Sequence, residues 1–135
     1  MSKELSVGER LEVRIEKIVP RGFGLGFAGR TPIFVSLAAA GDLVRVAVSR
    51  VKGSAVFAEI EEVLEASSDR IEPPCEYFGT CGGCDLQQMN YAAQLEAKRA
   101  IIADCLRRIA KLDPVPDIEM IGCPEPFGYR LRAQW

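Results

Sequence analysis

The pair Pro73-Pro74 limits how this chain can fold more than any other feature of its sequence. Proline has no amide hydrogen to donate and can neither extend a helix nor join a sheet ladder. Ile71-Glu72-Pro73-Pro74 therefore reads as a linker, and the two sides of it differ in kind. Before it there is no cysteine, and turn-like clusters recur at short intervals. After it come all five cysteines and a long helical pattern. No internal repeat or low-complexity tract is present.

The first side reads as strands. Leu11, Val13 and Ile15 alternate with Glu12, Arg14 and Glu16, the period of a half-buried strand. Gly22, Gly24, Gly26 and Gly29 punctuate Phe23, Leu25 and Phe27, a density that predicts a bent or closely approached strand. Thr31-Pro32-Ile33-Phe34-Val35 is a short β-prone run whose proline fits a strand start or an edge. Gly41-Asp42 and Lys52-Gly53-Ser54 are turn signals around Val44, Val46 and Val48, and Val56, Ala58 and Ile60 follow at period two. About five short strands result. The simplest closed solution is a five-stranded antiparallel barrel of the OB type, since closure removes the sheet edges. Val13, Ile15, Val44, Val46, Val56 and Ile60 are its expected core.

The second side reads as a loop and one long helix. Asn90 is a candidate N-cap, and Leu95, Ile102, Cys105, Ile109 and Leu112 fall near one helical face. Asp113-Pro114 stops the helix. Tyr129-Arg130-Leu131-Arg132-Ala133-Gln134-Trp135 reads as a strand that the sequence enters and does not leave, so the chain is expected to be part of a longer protein. The expected fold class is mainly β with an α-helical second segment. The expected divisions are a barrel over 1–66, a linker over 67–74, a cysteine loop plus helix over 75–113, and the start of a further β region over 114–135.

Composition narrows the chemistry. The 135 residues include no histidine, which excludes Ser-His-Asp and Cys-His catalysis and any metal site needing imidazole. No run approaches the ~18 apolar residues of a membrane span, and the polar N-terminus carries no signal-peptide pattern. A reduced, cytoplasmic protein is expected, with neither a membrane nor DNA as partner. The net charge of −2 excludes a strongly basic nucleic-acid arm but leaves room for a local basic patch.

The motif Cys75-x5-Cys81-Gly82-Gly83-Cys84 places three thiols within ten residues. They are candidates to converge on one metal centre, and the Gly-Gly pair permits a sharp turn with backbone N–H groups near sulfur. Thiolates without imidazole point to zinc or an iron–sulfur cluster. A redox dithiol usually sits on a βαβ unit, which this sequence does not show. Either centre normally takes four ligands. Cys105 lies on the apolar helix stripe, where a buried free thiol is the simpler reading. Cys123, before Pro124, could reach a metal, but its spacing does not select it.

The run Cys75-Glu-Tyr-Phe-Gly-Thr-Cys81-Gly-Gly-Cys84-Asp-Leu-Gln87, with Tyr91, Gln94 and Lys98, resembles the N-terminal signature of the RNA (uracil-C5)-methyltransferase family, in particular its iron–sulfur branch acting on 23S ribosomal RNA. Gly128-Tyr129-Arg130-Leu131-Arg132 resembles the family's Gly-Tyr-Arg run, and the barrel resembles a TRAM domain. The resemblance implies a [4Fe–4S] cluster with Cys75, Cys81 and Cys84 as three ligands and the fourth beyond Trp135. Zinc stays open as the alternative. It further implies that S-adenosylmethionine and all catalytic residues belong to a Rossmann-like domain absent from this chain, so none is assigned here. Gln88 stands where the family often has histidine, and Ala39-Ala40-Gly41-Asp42 replaces a common Leu-Pro-Gly-Asp/Glu turn.

The implied partner is RNA, ribosomal RNA in particular. A barrel of this type holds single strands with cations and stacked aromatics. The candidates are Arg14, Lys17, Arg21, Arg30, Phe23 and Phe34, with Tyr129, Arg130 and Arg132 from the Gly-Tyr-Arg run. Phe23 and Phe34 fit a core position better than a stacking one, and Glu12 and Glu16 dilute the basic residues. Two readings stay open. One is the RNA-recognition portion of a methyltransferase. The other is a free-standing binding module with a structural metal knot.

Overall fold

A computed structural model describes residues 4–132 and residue 134. Its strands are β1 (Arg10–Arg14), β2 (Lys17–Ile18), β3 (Gly24–Ala28), β4 (Thr31–Ser36), β5 (Leu43–Lys52) and β6 (Ala55–Glu65). They form one sheet in the order β1-β5-β6-β4-β3-β2. One helix, α1 (Tyr91–Arg108), follows.

The six strands close as a five-stranded barrel because β1 and β2 are two halves of one bent strand. Residues 10–14 pair with β5, in register Val13↔Val44. The backbone then bends at Ile15 and Glu16. The Ile15 amide donates to the Asp42 carbonyl at 2.8 Å, and the Glu16 amide donates to the Leu25 carbonyl, also at 2.8 Å. Lys17 and Ile18 continue along β3. Both ends of the sheet order thus belong to the same stretch of chain, which passes from β5 to β3 at the bend. The strands are not all antiparallel, as the sequence had led us to expect: β4 and β6 run parallel, with Phe34 opposite Phe57. Period-two patterning fixes which residues face inward and says nothing about strand direction.

The bend is possible because glycines line it. A β-carbon on Gly26 would lie 2.2 Å from Val13 Cγ1 and 2.6 Å from the Arg14 carbonyl oxygen. The core is the expected one. Val13, Ile15, Val44, Val46 and Val56 are buried with Ile33, Val35 and Val48, while Ile60 is half-buried and packs against them.

Residues beyond the barrel are anchored back onto it. Asp42 is fully buried. Its carboxylate accepts from the amides of Ala39 (2.9 Å) and Ser67 (2.8 Å) and from Arg70 Nε (3.0 Å) and Nη2 (2.7 Å). Arg70 also donates to the Leu37 carbonyl at 2.9 Å. A buried carboxylate needs this density of donors to be tolerated. The residue read as a turn signal is therefore the post that holds the segment after β6. The backbone of Arg70 bridges to Met89, and Gln88 Nε2 donates to the Ala38 carbonyl at 3.0 Å.

Asn90 caps α1 by accepting from the Ala93 amide at 2.8 Å. The docked face differs from the expected stripe. Ala93, Ala97 and Ile101 pack with Leu86 on a small cluster of Ile18, Ala39 and Met89. Ile102, Ile109 and Leu112 are exposed. Small side chains let the helix approach the barrel, so alanines carry a contact that bulkier residues would hold apart. Lys17 Nζ reaches Asp104 Oδ2 at 2.5 Å and clamps helix to barrel. Chiefly through that hydrogen bond, Lys17 holds the Asp104 carboxyl below the usual aspartate range. Tyr129 to Arg132 form no strand. Ala133 and Trp135, the rest of the expected strand, lie outside the described residues.

Candidate nucleic-acid interface

On β4, Ile33 and Val35 point into the barrel, so Phe34 between them faces out. On β6, Val56 and Ala58 do the same to Phe57. The parallel register sets these two rings side by side, with centroids 5.3 Å apart and planes at 26°. Phe23 meets Phe57 edge-on at 5.7 Å and 71°. The Arg50 guanidinium lies 4.3 Å above the Phe57 ring. Phe23 and Phe34 are therefore half-buried on the outer surface and are not core residues. Three rings and a cation on one face match the chemistry that stacks bases and attracts phosphate.

Phe57 and Arg50 were not singled out in the sequence. The signal for Phe57 was present, since it sits out of phase with Val56, Ala58 and Ile60. Arg50 joins it only because the β5–β6 hairpin pairs the two residues.

The structure separates the basic candidates. Arg14 pairs with Glu65 at 2.6 Å and donates to the Gly41 carbonyl at 3.0 Å. Lys17 is engaged by Asp104. Arg21 and Arg30 are exposed and have no hydrogen-bond or ion-pair partner among the described residues. Arg21 sits at φ 73° in the turn before Phe23, so it stands beside the aromatic face. Tyr129 is exposed, with the Arg130 guanidinium 5.8 Å from its ring, and Arg132 is exposed nearby in sequence.

The cysteine loop borders this face. A β-carbon on Gly22 would lie 2.7 Å from Asp85 Cβ, and one on Gly79 would lie 3.2 Å from Leu37 Cδ1. The loop is thus folded against the barrel, and a cavity of about 460 Å³ lies between them. Arg21, Phe23, Leu37, Glu59, Cys84 and Asp85 are among the residues lining it.

Within the loop, the Cys75 amide donates to Gln87 Oε1 at 3.1 Å and the Cys81 amide to the Tyr77 carbonyl at 2.9 Å. Cys75, Cys81 and Cys84 are free and exposed. Their donor chemistry suits a thiolate-bound centre, since three sulfurs occur in one loop of a chain without histidine. Their positions do not gather. Among the described residues no three Cys, Asp or Glu side chains are close enough together to hold a metal ion, so the expected convergence of the three sulfurs is not met in this structure. Cys105 is half-buried on α1. Cys123 is held elsewhere, its amide donating to the Tyr91 hydroxyl at 2.7 Å and its thiol to the Glu125 carbonyl at 3.0 Å.

Comparison with known proteins gives this arrangement its context. No family model matches the chain. Curated relatives do. The 23S rRNA (uracil(1939)-C(5))-methyltransferase RlmD of Pseudomonas putida is 37% identical over 97% of this chain. An uncharacterized RNA methyltransferase of Halalkalibacterium halodurans is 37% identical over 99% of it. The chain spans 29% and 30% of the length of these two relatives. A solution structure of a conserved protein from Methanococcus maripaludis covers 43% of this chain at 31% identity, with a TM-score of 0.41. The chain is related to the RNA methyltransferases and matches the N-terminal part of such proteins. Among them is the enzyme type acting at C5 of a uracil in 23S rRNA.

Proposed function

We propose that this chain is the RNA-holding portion of a uracil-C5 RNA methyltransferase acting on ribosomal RNA. The carrying observation is the outward triad Phe23, Phe34 and Phe57 with Arg50 over it. A barrel that places three half-exposed rings on one face offers a base-stacking platform that is tolerant of sequence. In this reading residues 1–66 are a TRAM-type OB barrel, and residues 67–74 join it to the cysteine loop and helix of 75–113. Residues 114–135 lead toward the rest of the protein. S-adenosylmethionine and the catalytic groups belong to the part of the relatives that this chain does not match, and the protein works in the cytoplasm.

Cys75, Cys81 and Cys84 are the thiolates we assign to a [4Fe–4S] cluster, with zinc as the alternative. The support is their donor chemistry and exposure. Such a centre would cross-link the loop that forms one wall of the cavity. Iron, sulfide and zinc measured per chain after anaerobic purification decide between the two, and Cys81→Ser should lower whichever is found. Protein with neither iron nor zinc would remove the assignment.

The RNA reading is tested by fluorescence anisotropy with labelled single-stranded RNA. Phe57→Ala should weaken binding by about 1–3 kcal/mol, the scale of one lost base stack. Arg14→Ala should change it little, because Arg14 is already paired with Glu65. Equal affinities for the native chain and Phe57→Ala would overturn the assignment of this face.

A further inference from the structure

The cavity beside the aromatic face carries a more specific reading, which rests on the RNA assignment above. Its wall is chemically uneven. Phe23 supplies a ring already used as an edge partner of Phe57, which leaves ring surface toward the cavity. Arg21 supplies an unpaired cation at the rim. Glu59 and Asp85 supply two carboxylates, one from the barrel and one from the cysteine loop. Neither carboxylate has a hydrogen-bond or ion-pair partner among the described residues. Elsewhere on the barrel the acidic side chains are mostly matched: Glu61 by Arg10, Glu62 by Arg45 and Glu65 by Arg14. Glu59 sits on the same strand as those three and is left open where this cavity adjoins it.

We infer that this cavity receives a single unstacked guanine of the bound RNA strand. A carboxylate only accepts hydrogen bonds. Guanine presents two adjacent donors, N1–H and N2–H₂, which one carboxylate can take together. Uracil presents one N–H between two carbonyl oxygens, and both oxygens would face the carboxylate's negative charge. Adenine and cytosine each offer a single amine beside an acceptor nitrogen. Phe23 stacks on the base, and Arg21 takes the phosphate that enters with it. The volume of about 460 Å³ is within the range of small-molecule sites. The cavity therefore reads a base flanking the target and repels uracil itself. Base reading is available here because a single-stranded base exposes its Watson–Crick edge.

The experiment uses the full chain and a set of labelled single-stranded RNA hexamers, identical except at one central position. That position carries guanosine, inosine, adenosine or uridine. Inosine keeps N1–H and lacks the N2 amine. Guanosine should bind about tenfold more tightly than uridine, the scale of one discriminating bidentate contact, with inosine in between. Glu59→Gln and Asp85→Asn are surface changes that leave the core untouched. At least one of them should abolish the preference by lowering affinity for the guanosine hexamer without lowering that for the uridine hexamer. Binding of all four hexamers with equal affinity would overturn the guanine site and leave the RNA-binding face standing. A preference for uridine would overturn it as well. Failure to bind any hexamer would overturn the RNA reading, and the guanine site with it.

Discussion

Replacing Gly26 by alanine tests how the barrel closes. The added methyl would sit 2.2 Å from Val13 Cγ1 and 2.6 Å from the Arg14 carbonyl oxygen. Nonbonded carbons rest about 3.5–4.0 Å apart, so β3 and β1 must separate by more than about 1 Å. The Glu16 amide to Leu25 carbonyl bond, 2.8 Å long and one residue away on β3, lies across that gap and breaks first. Overpacking costs about 1–3 kcal/mol, and the lost hydrogen bond adds about 1 kcal/mol. Against this, alanine narrows the unfolded ensemble and returns about 0.4–1 kcal/mol. The clash wins, and a net loss of about 1–3 kcal/mol is expected. That is a large part of the ~5–15 kcal/mol that stabilises a typical domain. Urea unfolding followed by far-ultraviolet circular dichroism measures it. Val13→Ala removes one of the two clashing groups, so the double variant should lose less than the sum of the single losses. A Gly26→Ala protein within about 0.5 kcal/mol of the native one, the usual range of a neutral surface change, would refute the claim that residues 10–18 close the sheet at this point.

Other expectations follow from the anchors. Asp42→Ala strips four donors of their acceptor and leaves Arg70 uncompensated, so it should destabilise the chain by about 3–5 kcal/mol in the same assay. The Asp104 carboxyl is held low in the folded state, chiefly by Lys17, so its contribution is present above the ordinary aspartate pKa. That contribution is lost as pH falls through the lower folded value, so docking of α1 should weaken below about pH 4. Asp104→Asn should flatten this acid limb, which amide hydrogen exchange in α1 can follow. The clamp is partly exposed, so its worth near neutral pH should stay under about 1 kcal/mol. Arg50→Ala should lower RNA affinity and also make the salt dependence shallower by less than one unit in a log–log plot, as expected for one lost phosphate contact on a single strand.

The barrel core was legible because Val13, Ile15, Val44, Val46 and Val56 repeat at the strand period, and the period alone sorts inside from outside. The parallel β4–β6 pair was not legible, because direction is decided by connection and closure. Asp42 was legible only as the turn it does form, its amide donating to the Ala39 carbonyl at 3.1 Å. Next to Gly41 it looks like turn chemistry, and its partners Ser67 and Arg70 are more than twenty residues away. On α1, the larger apolar residues Ile102, Ile109 and Leu112 drew attention from Ala93 and Ala97, whose small size is what permits the contact. At the interface, the sequence offered Phe23 and Phe34 without saying which way they point. It gave no means of telling the engaged Arg14 and Lys17 from the free Arg21 and Arg30.

The bent first strand also sets the order of events during synthesis. Residues 10–18 leave the ribosome before the strands they pair with: half of their partners lie in β5, and β4 lacks its neighbour until Val56 to Glu59 have been made. Non-local pairing of this kind places barrels among the slower-folding small domains, in milliseconds to seconds. Throughout that interval Thr31–Ser36 waits as an uncharged, β-prone segment with one side open. Pro32 near its start cannot donate to an incoming strand, and Arg30 just before it repels a second copy of the same charge. Both features disfavour edge-to-edge pairing with a second copy in the interval before β6 covers the edge.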